Sequence, residues 1–347
     1  MLAVMRALCL HRYGGPEVLA VADLPDPLPG RGQVRVRVHA ASVNPKDVLV
    51  RKGKFKLFTG ERFPLVPGYD VAGVVDHVGA GAFSFQRGEE VWGMIQRWAG
   101  GACAEYAIVP VDELDRKPAG LSMAQAASLP LVALTALQAL RDVARIQPGE
   151  RLLINGASGG VGTAAVQIAS AALGAHTTAI CSQRNRALVA SLGAHAVLPY
   201  DLEPLGGRAA QSRPAEHRPG RRQFDVIFDV FGNLRFEDAR AYLAAGGRYV
   251  TTVPSREALA RDVLGRAVGA ASRLMPGAGP RRARLVVVKS RARDLAILRG
   301  WVERGLLRPV VDRAWPLAEA RAAHEYLETK RARGKVVLAV VASEPNQ

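Results

Sequence analysis

Residues 5–115 run as short stretches in which apolar and polar positions alternate, separated by Gly/Pro turns. MRALCL, VLAVADL, QVRVRVHAASV, DVAGVVDHVG, EVWGMI and AEYAIVP each read as a β-strand. In Val34, Val36 and Val38, with Arg35 and Arg37 between them, the period is two, which sets one face in a core and one in water. From about residue 119 helical spacing takes over and alternates with strands. LSMAQAASLPLVALTALQALRDVA predicts a helix, RLLING a strand, GTAAVQIASAALG a helix, HTTAICS a strand and RNRALVASLG a helix. AVLPY and FDVIFDV follow as strands, RFEDARAYLA as a helix, and GRYVTTV and ARLVVVK as strands. That order predicts an α/β fold with a doubly wound parallel sheet. Beyond about residue 308 short strands return, PVVDRAWPL and GKVVLAVV, around one helix. Segment 202–223, interrupted by Pro204, Pro214 and Pro219, predicts a loop; 254–282 begins with helical spacing and then breaks at Gly/Pro.

A chain of 347 residues can build two domains with separate cores. No window approaches the ~18 uninterrupted apolar residues of a membrane span, and the opening MLAVMRALCLHRYGG lacks the apolar run of a secretory signal. Cys9, Cys103 and Cys181 are odd in number and far apart, with neither metal-site nor disulfide spacing, so a reducing cytoplasm is expected. The net charge of +16 raises a nucleic-acid partner. Yet only eight of the 47 basic residues are lysine, and the arginines are scattered through helical segments, as a compositional bias would leave them. The densest cluster, residues 206–222, offers no aromatic on which a base could stack.

Residues 154–169, INGASGGVGTAAVQIA, carry the first chemistry. Gly156, Gly159 and Gly162 lie between a predicted strand and a predicted helix, which is the context a dinucleotide-binding loop requires. Glycines let the backbone approach a pyrophosphate, and Ser158, Gly159, Gly160 and Val161 place free N–H groups at a helix start, where the dipole attracts anions. An NAD site usually ends the next strand with an acid for the ribose hydroxyls. Here that strand ends in AICSQRNR, with Ser182, Arg184 and Arg186 and no carboxylate. A hydroxyl and guanidiniums suit a 2′-phosphate, Tyr200 could add a phenol, and NADPH is the expected cofactor.

Several blocks in this order resemble the medium-chain dehydrogenases/reductases, on the zinc-free quinone oxidoreductase side, in the branch of zeta-crystallin and the reticulon-4-interacting protein. They are MRALCLHRYGGPEVLAV, HAASVNPKDVLVRKG, PLVPGYDVAGVVDHVGAG, ASGGVGTAAVQIA, LGAHAVLPY, FDVIFDVFG and the stretch from GLLRPVVDRAW to RARGKVVL. The resemblance implies a GroES-like β-barrel catalytic domain over 1–121 and 308–347, and a Rossmann domain over 122–307, with the active site in a cleft. It also implies cofactor contacts at Phe231, Gly334 and Lys335.

Asn44 stands where the family's alcohol dehydrogenases carry a zinc-binding Cys, and Gly68-Tyr69-Asp70 where they carry Gly-His-Glu. Neither Asn nor Tyr makes a plausible zinc ligand, so no metal is expected. Without a Lewis acid the chemistry turns to acceptors already electrophilic, quinones or conjugated carbonyls. By resemblance Asn44, Asp47 and Thr135 face the nicotinamide, with Asn44 able to donate to a developing oxyanion. SVNPKD is equally good turn chemistry, and Lys46 in it is expected in solvent. The tyrosines that relatives carry after this loop are replaced by Phe55 and Phe58, so no phenolic acid is available there.

An NADPH-dependent reductase of a small quinone or enone is the leading reading. An NADPH-binding sensor or partner-binding protein, and a nucleic-acid binder on a Rossmann scaffold, are its alternatives. ARLVVVK at the sheet edge would pair with its twin in a homodimer.

Overall fold

The computed structural model describes residues 3–202, 223–253 and 282–341. The expected loop within 202–223 and the segment 254–282 fall almost wholly outside them, as does the arginine cluster at 206–222. The chain divides into two compact units, residues 1–134 with 289–347, and residues 135–288.

In the first unit, strands β1 (Val4–Leu10) and β2 (Leu19–Pro25) form an antiparallel pair. A larger sheet takes β3 (Gln33–Val43), β4 (Asp70–Val78), β5 (Glu90–Met94), β6 (Tyr106–Pro110) and β7 (Leu114–Arg116). From the end of the chain it takes β14 (Val311–Pro316) and β15 (Lys335–Ala339), in the order β14-β15-β3-β4-β5-β7 with β6 also on β3. The alternation read in β3 is realised. Val34, Val36 and Val38 are buried in the core with Leu8, Val71, Val91 and Val336, while Arg35 turns outward to Asp76 at 2.7 Å. Short helices α1 (Pro45–Arg51) and α2 (Lys56–Thr59) follow β3. Helices α8 (Ala292–Glu303) and α9 (Ala320–Glu328) belong to the returning segment.

The long helix expected from residue 121 is two helices, α3 (Met123–Ala127) and α4 (Pro130–Leu137), and helical turns carry α4 on to Ala144. Pro130 explains the break: it has no N–H to continue α3 and fits the first position of a new helix.

The second unit holds a six-stranded, all-parallel sheet in the order β10-β9-β8-β11-β12-β13. Its strands are β8 (Arg151–Asn155), β9 (His176–Cys181), β10 (Ala196–Pro199), β11 (Phe224–Asp229), β12 (Leu243–Thr251) and β13 (Arg282–Leu285). Counted along the chain this is 3-2-1-4-5-6, the dinucleotide-binding order whose ligand crevice lies past the carboxyl ends of the two central strands. Leu152, Leu153, Ile154, Val226, Ile227 and Phe228 are all buried, as a sheet covered on both faces demands. Helix α5 (Gly160–Gln167) follows β8 and α6 (Arg186–Ser191) follows β9. The helix expected from RFEDARAYLA is only α7 (Phe236–Ala239), because Leu243 is already paired with Phe224 in the sheet.

Candidate functional site

In the second unit, the central strands end on Asn155 and Asp229, whose side chains meet at 2.8 Å. Gly156 then turns at φ +85°, and Gly162 packs so closely that a Cβ there would lie 2.2 Å from the Gly156 carbonyl. Gly159, the residue before α5, has nothing nearer its Cβ position than that same oxygen at 3.6 Å. The first N–H groups of α5 therefore stand behind a loop with room in front of it. Asp229 fixes the neighbouring loop through Gly232 N–H, Leu234 N–H and the Tyr249 hydroxyl. That puts the half-exposed Phe231 against Gly156, with 3.1 Å between its Cβ and the Cβ position there.

At the end of β9, Ser182 is buried and its hydroxyl has no partner among the described residues. Arg184 and Arg186 are exposed, and Tyr200, also exposed, is hydrogen-bonded through its backbone to Cys181. The sequence reading missed Asn185 between the two arginines. Its amide donates to the Ser158 hydroxyl at 2.9 Å, tying this strand end to the glycine loop, and its Oδ1 is buried without a partner. The next strand does bring an acid, Asp201, which accepts the Gln183 N–H at 2.9 Å. Thr135 is buried in α4.

In the first unit, Asn44 precedes α1, and the Asp47 carboxylate accepts the Asn44 N–H on one oxygen and the Gly68 N–H on the other, both at 2.8 Å. Gly68 sits at φ +99°, where a side chain would strike Cys103. Burial pushes the Asp47 pKa up to about 6, against the pull of those two donors. Asp70, unassigned by the sequence reading, is the hub of this region. It opens β4 opposite Ser42 of β3, and one of its oxygens accepts from the Ser42 hydroxyl, from Asn44 Nδ2 at 2.8 Å and from Lys335 Nζ at 3.1 Å. The other accepts the Leu131 N–H at 2.6 Å, at the start of α4. Lys335 also donates to Asn44 Oδ1. Gly334, at φ +82° with its Cβ position 2.2 Å from the Val310 carbonyl, makes the tight turn that aims Lys335 inward.

Two of the expected site residues belong to this cluster. Asn44 is 1% exposed, its amide nitrogen donates to Asp70 at 2.8 Å with Ser42 Oγ at 3.5 Å, and its oxygen accepts from Lys335, so it supports the cluster. Lys335, expected at the cofactor, is 5% exposed and spends its ammonium inside the cluster. The cation nearer the surface on this loop is Lys46, expected in solvent. Its Nζ lies 3.9 Å from the centre of the Tyr69 ring, and burial lowers its pKa against the charges of Asp47 and Asp70. Tyr69, at the zinc-ligand position, is buried and donates its hydroxyl to the Trp98 carbonyl; burial, and then the Asp47 charge, raises its pKa.

Residues 30–119 match the family described as alcohol dehydrogenase GroES-like domain, and residues 192–338 the one described as zinc-binding dehydrogenase. The chain is 37% identical to the mitochondrial NAD(P)H oxidoreductase RTN4IP1 of Mus musculus, over 97% of this chain and 90% of that one. It is 31% identical to the chloroplast envelope quinone oxidoreductase homolog of Arabidopsis thaliana, over 96% and 98%. The solved quinone oxidoreductase of Coxiella burnetii superposes with a TM-score of 0.82 at 31% identity, covering 98% of this chain and all of that one. The chain is an oxidoreductase of the medium-chain dehydrogenase/reductase superfamily and belongs to its quinone oxidoreductase branch.

Proposed function

We propose that this chain is an NADPH-dependent, zinc-independent reductase of quinones or other conjugated carbonyl acceptors. The observation that carries the cofactor assignment is the end of β9. Ser182, a buried hydroxyl without a partner among the described residues, stands there beside two exposed guanidiniums, and the segment that closes this strand, residues 181–186, carries no carboxylate of its own. A 2′-phosphate offers oxygens to all three groups, whereas a bare ribose would leave the guanidiniums unmatched. Asp201, from beyond β10, is already engaged with Gln183 N–H. The first N–H groups of α5 and the Ser158 hydroxyl, oriented by Asn185, would take the pyrophosphate. Phe231 would cover the cofactor beside Gly156.

The donor set of the first unit does not suit zinc. Asn44 and Tyr69 occupy the ligand positions, their side chains are committed to Lys335, Asp70 and Trp98, and the Asp70 carboxylate is filled by four donors. When bound, the nicotinamide supplies the hydride; the protein's part is to hold and orient the reactants and exclude water. The Asp70–Lys335–Asn44 cluster does this indirectly, by fixing the Asn44–Asp47 turn. We also propose a homodimer through β13, the last strand in the sheet order, and residence in a reducing compartment, the cytoplasm, where the buried thiols of Cys9, Cys103 and Cys181 stay free. No described helix is long and apolar enough to cross a membrane.

The test is loss of NADPH absorbance, run against NADH, with a panel of quinones and enones. NADPH-selective turnover is expected, with Ser182→Ala/Arg186→Ala weakening NADPH by ~10-fold or more and leaving NADH nearly unchanged. Equal use of the two cofactors, unaffected by that double substitution, would refute the phosphate assignment. Tight NADPH binding with no acceptor consumed would favour the sensor reading. Light scattering that gives a monomer at micromolar concentration would remove the dimer.

A further inference from the structure

Lys46 is the one feature of the Asn44–Asp47 turn that the buried cluster does not absorb. Its ammonium lies 3.9 Å from the Tyr69 ring centre and 5.7 Å from that of Trp98. Among the described residues no carboxylate, hydroxyl or carbonyl accepts from it, so its three donors are directed by aromatic faces alone. A lysine free to choose would extend into water, and burial lowers the pKa of this one. Beside it the aromatic surface opens outward. The Trp98 and Phe58 rings stack 4.1 Å apart at 14°, with Phe55 5.6 Å from Trp98. Trp98 is 44% and Phe58 59% exposed. Lys54 and Lys56, both exposed, flank these aromatics along the chain. Flat apolar rings next to an ammonium with unfilled donors, in a cationic surround, match a flat ring that carries negative charge.

We propose that Lys46, Tyr69, Trp98 and Phe58 form a recognition site for aromatic acceptors bearing an anionic group, such as ring-sulfonated, carboxylated or ionised hydroxyquinones. The ring covers the exposed Trp98–Phe58 stack, and its anionic oxygen takes the Lys46 ammonium. This rests on the quinone reductase reading above and narrows its substrate class. Lys46 is here a specificity-determining residue.

The experiment is calorimetric titration of the full-length protein with anthraquinone-2-sulfonate and with its uncharged near-isostere, anthraquinone-2-sulfonamide. The sulfonate is expected to bind about tenfold tighter, the scale of one charge-assisted hydrogen bond. Lys46→Met should bring the ratio near one, Lys46→Arg should retain most of it, and Trp98→Ala should weaken both compounds. Equal affinities in the parent protein would overturn the proposal. So would a preference that survives Lys46→Met, which would trace to the general positive charge of the surface. Should Lys46→Met fail to fold, Lys46→Gln takes its place, and Trp98→Ala tests the rings independently: affinities for both compounds unchanged by Trp98→Ala would overturn the site. NADPH turnover of the uncharged compound, followed in the same preparations, separates the two conclusions. Turnover without charge preference removes this site and keeps the function, and charge preference without turnover does the reverse.

Discussion

Replacing Lys335 by methionine removes the only cation that, among the described residues, is hydrogen-bonded to the Asp70 carboxylate, while keeping most of the buried stem. Asp70 has no exposure and Lys335 almost none, so water cannot take the place of the lost ammonium. Asp70 keeps the Ser42, Asn44 and Leu131 donors, and Asn44 Oδ1 loses the ammonium donor it now has. Breaking a buried pair from one side costs ~3–5 kcal/mol, a large part of the ~5–15 kcal/mol that holds a typical domain folded. All four tryptophans, Trp92, Trp98, Trp301 and Trp315, belong to the first unit, so their emission during urea unfolding reports that unit alone. Asp70→Asn should cost a similar amount. In the double variant the Asn44 amide, released by Lys335, can turn its oxygen toward the introduced amide, so the double loss should fall short of the sum by ~2 kcal/mol or more. A loss below ~1 kcal/mol for Lys335→Met, or strict additivity, would refute the account of this cluster as a mutually dependent unit.

Other expectations follow from single features. His324 is buried with neither ring nitrogen partnered among the described residues, and burial, then the nearby Arg51, lowers its pKa to about 3. The unfolded chain takes that proton near pH 6.5 and the folded one resists it, so stability falls as pH drops from about 6.5 toward 3, by up to ~1.4 kcal/mol per unit. Asp47 acts in the opposite sense between about 4 and 6, because its raised pKa lets the folded state take a proton first. Comparing urea midpoints of the parent and His324→Leu at pH 7 and pH 5 isolates the histidine; a variant with the same pH slope as the parent would contradict its assignment. Gly162→Ala should destabilise the second unit, since its Cβ would meet backbone at 2.2 Å. Gly159→Ala should leave stability within ~0.5 kcal/mol and weaken NADPH binding, measured by cofactor fluorescence. Unchanged binding would remove the loop from the phosphate site.

Much of this was legible in the chain because it is local. Alternation in VRVRV and the apolar runs of RLLIN and FDVIFD mark strands without reference to anything distant, and the glycines at 156, 159 and 162 announce their turn. Three-residue β7 escaped because Leu114–Arg116 is too short to show a period. The helix expected from RFEDARAYLA was cut short because pairing of Leu243 with Phe224 overrides the helical preference of alanine and leucine. Asp70 and Lys335 are 265 positions apart, and no local pattern links them. Lys46 was misjudged for the same reason. Its charged neighbours in sequence suggested water, and the rings that hold it, Tyr69 and Trp98, arrive from two other segments.

The return of the chain to its first unit sets an order of events during synthesis. Asp70 emerges from the ribosome early, whereas its counter-ion and the strand beside β3 follow only after the whole second unit. At ~5–20 residues per second the wait for Lys335 is on the order of ten seconds to a minute. The second unit can complete its sheet in that time, while the first holds a carboxylate whose partner has not yet been made. A nascent chain stopped before residue 335 should therefore present a folded nucleotide-binding unit beside an unfinished barrel. The late-made tail is then the step that a chaperone must wait for and that a protease can intercept.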